Sequence, residues 1–202
     1  APSGPHSHHG YECPRMFRNR ARDIWELFLG IYVSDFELRG RQIFKLAILT
    51  ISDTGSKGER EDTSGDAISK IMADAGGFEE VAREIVADET GLIAGRLTEW
   101  CDTGDIDLVV TTGGTGLGPR DVTPEATRQV IDLEVPGIAE AMRMETLKIT
   151  PFAMLSRSVV GVRNGCLIVN LPGSPKGVTE TLEVALRGIS HALEMVKGWR
   201  TH

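Results

Sequence analysis

From residue 44 onward the chain alternates between two spacings of apolar residues. Phe44–Ile51 is a nearly unbroken apolar run, dense enough for a strand buried on both faces. A polar loop follows over 52 to about 61. Asp62 and Thr63 then offer a cap for a helix whose Ile68, Ile71 and Met72 share one face, and Gly76 and Gly77 end it. Residues 81–87 predict a second strand, and 89–100 a second helix with Leu92, Ile93, Leu97 and Trp100 turned inward. A short β-branched run at 107–112 predicts a third strand, and helical spacing returns over 124–133 and 138–147. Residues 159–162 and Cys166–Leu171 flank Asn164 and Gly165, a two-residue hairpin signal. Residues 178–196 have the period of a final amphipathic helix.

Strand and helix alternating in this order imply an α/β fold: a three-layer sandwich with a mostly parallel sheet, helices on both faces, and an edge β-hairpin. No internal repeat is visible. The simplest division is an N-terminal extension at 1–42 and one domain at 43–202.

The first 42 residues lack the pattern. Residues 1–12 are rich in Pro, Gly, Ser and His, the composition of a disordered end. His6, His8, His9 and Cys13 could be written as metal ligands, but a mobile tail presents no fixed geometry, so no metal is assigned there. Further on, Arg15, Arg18, Arg20 and Arg22 precede Ile24, Leu27, Phe28 and Ile31, which fit one helical face. An amphipathic arm docking on the domain or on a neighbouring subunit, a membrane-surface helix and a poorly ordered extension all stay open. Asp23, Glu26, Asp35 and Glu37 weaken a transit-peptide reading.

Composition narrows the class. Of 202 residues, 41% are apolar and 25% charged, ordinary for a globular protein with one sizeable core. The net charge of −7 is uneven: residues 1–45 carry seven Lys/Arg against five Asp/Glu, and the remainder fifteen against twenty-four. An acidic body argues against non-specific nucleic-acid binding, and no nucleic-acid partner is expected. Cys13, Cys101 and Cys166 are odd in number and widely spaced, which argues against a disulfide framework and for a reducing compartment. No apolar run reaches the ~18–20 residues of a membrane span, so a cytoplasmic protein without a membrane partner is expected.

The chemistry concentrates after the third strand. Gly113, Gly114 and Gly116 let the backbone take positive φ and approach a ligand closely. Thr123 is the expected N-cap of the next helix, with Pro124 at its first position and Glu125 complementing its dipole. Arg120 and Asp121 lie between turn and helix, at the carboxyl end of a parallel-type strand where open α/β sheets bind ligands. An anion and a metal could both be held there. Alone, such a turn is as readily a tight connection.

The whole string TTGGTGLGPRDVTPEAT resembles the MoaB/Mog family, the molybdopterin-binding and adenylylating domain also found in gephyrin. LTISDTGSKGEREDTSG at 49–65, VADE at 86–89, LKITPFAMLSRS at 147–158 and NLPGSPKGV at 170–178 match it in the same order. The resemblance covers 44 to about 198 and leaves out the N-terminal extension.

It implies adenylylation of molybdopterin by ATP, with Mg2+ and release of pyrophosphate. Asp88 and Asp121 match carboxylates implicated in catalysis or metal positioning. Thr112, Gly113, Gly114, Thr115, Gly116, Arg120, Ser156, Arg157, Pro172, Gly173 and Ser174 fall in segments that contact substrate, Ser156 being the serine associated with the pterin dithiolene. Ser52, Asp53, Asp62, Ser64 and Gly65 belong to a loop on the nucleotide side. Arg157, Lys148 and Lys176 are candidate anion binders. Residue by residue, plainer readings stand beside these: Asp53 as a turn or Asx cap, Asp62 as a helix cap, and the three cations as solvated surface groups. The resemblance further implies a homotrimer and a possible molybdenum-insertion partner. A binding-only MoaB-type protein and a scaffold module are the alternatives to the enzyme.

Overall fold

Strand β1, Phe44–Ile51, exposes Lys45 and buries its other seven side chains. Such a strand must be covered on both faces, and its alternation shows how. Phe44, Leu46 and Ile48 join one apolar cluster, while Ala47, Leu49 and Ile51 join another. In the computed structural model, which describes residues 43–199, the same division continues across the sheet. In β3, Leu108–Thr112, Leu108 and Val110 face the first cluster and Val109 the second; in β6, Cys166–Leu171, Leu167, Val169 and Leu171 oppose Cys166 and Ile168.

Helices fill both sides. The first cluster takes Ile68 and Met72 from α1 (Thr63–Ala75), Ala139 and Met142 from α4 (Pro136–Leu147), and Val178, Leu182, Ala185, Ile189 and Leu193 from α5 (Pro175–Val196). The second takes Ile93, Leu97, Trp100 and Cys101 from α2 (Thr90–Asp102) and Ala126 and Val130 from α3 (Thr123–Val130). Each fully buried Leu or Ile contributes about 1.5–3 kcal/mol. The three-layer α/β architecture expected from the sequence is therefore present.

With β2 (Phe78–Val86), β4 (Leu133–Glu134) and β5 (Val160–Arg163), the six strands run in the order β2-β1-β3-β6-β5-β4. The pairs of β1 with β2, β1 with β3 and β3 with β6 are parallel, whereas β5 is antiparallel to both of its neighbours. Asn164 (φ 45) and Gly165 (φ 78) make the β5–β6 turn, as their pairing signals.

Several local expectations need correction. Leu92 is half exposed, because the inward stripe of α2 is Ile93, Leu97, Trp100 and Cys101, and Leu92 sits about 100° around the helix from Ile93. The helix expected over 124–133 stops at Val130. Leu133 and Glu134 instead add the strand outside β5, so the hairpin lies one strand in from the edge. β2 begins at Phe78 rather than 81; an edge strand tolerates the exposed Glu79 and Glu80 that hide it from an apolar pattern. Residues 1–42, with the candidate tail ligands and arm, lie outside the described residues.

One buried polar residue ties the sheet to α3. Asn170 on β6 is fully buried, and its Nδ2 donates to Thr111 Oγ1 and Thr127 Oγ1 at 3.0 Å each. Its Oδ1 accepts the Val159 N–H at 3.3 Å. The amide's two donor hydrogens and its oxygen are thereby all engaged, as burial demands.

Candidate active site

Strand order reverses direction between β1 and β3, since β1 leads outward to β2 while β3 leads to β6. The carboxyl ends on either side of such a switch point leave a crevice. Here a cleft of about 200 Å3 is lined by Thr50, Ser52, Arg60, Glu61, Asp62 and Ser64 from the β1 side, Asp88 after β2, Thr112, Gly113 and Gly114 after β3, and Gly173 after β6.

The glycine turn is held from behind. Gly113 has φ 103, and a Cβ there would stand 2.3 Å from the Ile51 carbonyl oxygen. Gly114 has φ 63, and its Cβ would stand 2.4 Å from Thr123 Oγ1. That hydroxyl donates to Gly113 O at 2.9 Å, while Thr123 N donates to Gly114 O at 3.1 Å. Thr123 is thus the first residue of α3, pinning the turn, and Val122 takes the cap position expected for it. Pro124 accordingly moves to the second helical position.

Hydrogen bonds connect the neighbouring loops. Thr112 Oγ1 donates to Pro172 O at 2.6 Å, and Ser64 Oγ donates to Gly173 O at 2.9 Å. Asp62 accepts from Gly65 N at 2.9 Å and from Thr50 Oγ1, so it does cap α1 while lining the cleft. Ser174 caps α5 by accepting from Gly177 N at 3.1 Å.

Asp121, Ser156 and Arg157 assemble outside the lining of this cleft, around the next part of the turn. Asp121 Oδ2 accepts the Gly118 N–H at 2.6 Å. Arg157 braces the loop: its backbone N–H reaches Thr115 O at 3.0 Å, its Nε reaches Gly116 O at 2.7 Å, and its Nη2 donates to Asp121 O. Nη1 pairs with Glu125. Ser156 Oγ donates to Ser158 Oγ at 3.0 Å. Lys148 pairs with Glu145, and Lys176 lies 3.8 Å from Glu180.

Asp88 of the cleft lining forms an acidic pair with Asp53. Asp53 N donates to Asp88 Oδ2 at 2.8 Å, and Asp88 N donates back to Asp53 Oδ1 at 3.1 Å. Arg120 grips the Asp53 carboxylate through Nε at 3.0 Å and Nη2 at 2.8 Å. Asp88 Oδ1 has no hydrogen-bond partner among the described residues, and it lies 3.3 Å from where a Gly114 Cβ would stand. Burial pushes the Asp88 carboxyl above its ordinary 3.8, and the charges of Asp53 and Asp121 add to this. Asp53 moves below 3.8 through its hydrogen bond with Arg120.

A domain family described as "Probable molybdopterin binding domain" matches residues 47–191. The chain belongs to this family. A molybdopterin adenylyltransferase of Helicobacter pylori is 46% identical over 158 residues, spanning 78% of this chain and 90% of that protein. One from Escherichia coli K12 is 41% identical over 140 residues, spanning 69% and 72%. Among solved structures, the molybdopterin biosynthesis enzyme MoaB of Thermus thermophilus is 53% identical, with 77% of this chain and 98% of that one covered and a TM-score of 0.73.

Within this molybdopterin-binding domain the cleft also includes Arg60 and Glu61, which the sequence pattern shows only as part of a polar loop. Their signal was their place beside Asp62 inside the matching stretch 49–65. Among the described residues, no helix is long and apolar enough to cross a membrane.

Proposed function

We propose that this chain is a molybdopterin adenylyltransferase of molybdenum-cofactor assembly, transferring the adenylyl group of ATP to the terminal phosphate of molybdopterin and releasing pyrophosphate. The observation that carries this reading is the unpartnered Oδ1 of Asp88 beside the turn at Gly113 and Gly114, in a cleft at the switch point of the sheet. The names of the Helicobacter pylori and Escherichia coli relatives support the substrate and the reaction.

A phosphate oxygen of the pterin forms a bond to the α-phosphorus of ATP while the bond from that phosphorus to the bridging oxygen breaks. The attacking phosphate is already anionic, so the protein supplies positioning and charge compensation rather than a strong base. Gly113 and Gly114 let phosphate oxygens approach the main chain. The loop at Gly116, braced by Arg157, carries Asp121; Ser156, next to that brace, sits on the side assigned to the pterin.

Among the described residues no group of three or more His, Cys, Asp or Glu could hold a metal. Mg2+ does not require one, since it is usually bound by one or two carboxylates together with substrate phosphates. Asp88 fits: one oxygen is free, and its anion is disfavoured by burial and neighbouring acids, a cost that a cation relieves. Asp121 is the second candidate carboxylate. When bound, Mg2+ supplies charge neutralisation at the α-phosphate and the leaving pyrophosphate.

The finer expectations belong to the same reading: a homotrimer, a cytoplasmic setting and a molybdenum-insertion partner. The test is a paired assay on the full chain, measuring molybdopterin binding and pyrophosphate release on adding ATP and Mg2+. Binding with release, abolished by EDTA, supports the enzyme. Binding without release assigns the chain to a ligand-holding role instead.

A further inference from the structure

The two oxygens of Asp88 have different surroundings, and the difference traces to Asp53 and Arg120. Oδ2 is occupied by the Asp53 N–H, and Oδ1 is left toward the glycine turn. Asp53 and Asp88, 35 positions apart, each donate a backbone N–H to the other's carboxylate. This reciprocal pair fixes the Asp88 backbone and one carboxylate oxygen together. Asp53 is itself held by both the Nε and Nη2 of Arg120, a two-point grip that sets orientation as well as distance. The series Arg120, Asp53, Asp88 therefore spans the loops after β3, β1 and β2.

We propose that Asp53 and Arg120 are positioning residues, which hold Asp88 with its Oδ1 presented to the cleft. Their side chains are 38% and 56% exposed, and an ion pair that open to water adds little stability. Arg120 also partly offsets the repulsion between the Asp53 and Asp88 carboxylates. The role is geometric, and a plain surface ion pair makes a different forecast: no functional effect on loss. The inference rests on the adenylyltransferase reading, because Mg2+ with ATP is what Asp88 faces there.

The test uses the full chain with Mn2+ as a paramagnetic substitute for Mg2+, titrated in the presence of ATP, alongside pyrophosphate-release kinetics. Asp53→Ala and Arg120→Gln are expected to weaken Mn2+ binding about tenfold, the scale of losing an outer-shell partner. They should lower kcat while leaving the KM for molybdopterin unchanged, and Arg120→Lys should recover part of the loss. Hydrogen exchange at the Asp88 amide should accelerate in Asp53→Ala. On an Asp88→Asn background, Asp53→Ala should add no further loss, since both act through one group. Unchanged Mn2+ affinity in Asp53→Ala, or an equal loss on both backgrounds, overturns the positioning role. A wild-type chain that binds Mn2+ with ATP but releases no pyrophosphate sinks the adenylyltransferase reading instead, and the metal titration still decides the positioning role.

Discussion

Gly113 passes so close to Ile51 that a Cβ on it would stand 2.3 Å from the Ile51 carbonyl oxygen. The clash is with backbone at the end of a central strand, so no rotamer change relieves it. Gly113→Ala is expected to cost more than about 2 kcal/mol, through this contact and through φ 103. Gly95 in α2 has nothing within 4 Å of its Cβ position, and Gly95→Ala is expected to stabilise by about 0.5–1 kcal/mol. Urea denaturation of the two variants checks both signs.

Asp121→Asn keeps an oxygen able to accept the Gly118 N–H, so the turn should persist. Removing the charge is expected to lower turnover roughly 100- to 1000-fold, the scale of one electrostatic group in a site. Normal pyrophosphate release from a folded variant overturns the assignment of Asp121.

The carboxyls of Asp53 and Asp88 should titrate on opposite sides of 3.8. Asp53, lowered, contributes stability that is present above 3.8 and lost as pH falls through its folded value. Asp88, raised, does the opposite: its ionisation opposes folding, and that penalty disappears as pH falls through its folded value toward 3.8. NMR titration of the side-chain carbons checks the order. In Arg120→Gln, Asp53 should rise and reduce the separation.

Asn170→Leu removes the partner of the Val159 N–H and of the Thr111 and Thr127 hydroxyls, all in the interior. The expected cost is about 2–4 kcal/mol. A loss below about 1 kcal/mol in thermal unfolding would show that the site re-forms its hydrogen bonds without the amide.

Met144, Leu147, Ile149, Phe152, Met154 and Leu155 form a succession of exposed apolar side chains at the end of α4 and in the turn after it. A monomer rarely displays such a run, and it would suit the subunit interface of the proposed homotrimer. Light scattering is expected to give three times the chain mass, and Phe152→Asp to reduce it. A monomer at micromolar concentration removes the trimer from the reading.

Much of the architecture was legible because it is encoded over short distances. Dense apolar runs marked β1, β3 and β6, the Asn164 and Gly165 pair marked its hairpin, and Asp62 announced the start of α1. Local signals misled where tertiary demand took over. Leu133 continued a helical pattern but was drawn into a strand beside Val162, and Thr123 gave its hydroxyl to Gly113 rather than to its own helix.

The amino-acid sequence by itself determined the alternation of strands and helices, the glycine turn and the membership of a family, since each rests on residues adjacent along the chain. Tertiary structure alone decided the strand order, and with it which loops share a rim. Arg120 meets Asp53 across 67 positions, and Arg157 meets Gly116 across 41. No local periodicity carries such pairings. Arg120 meets Asp53 because the parallel register of β1, β2, β3 and β6 brings four carboxyl ends together. Arg157 meets Gly116 because antiparallel β5 begins at that same rim, so each side chain finds its partner only after the sheet has formed.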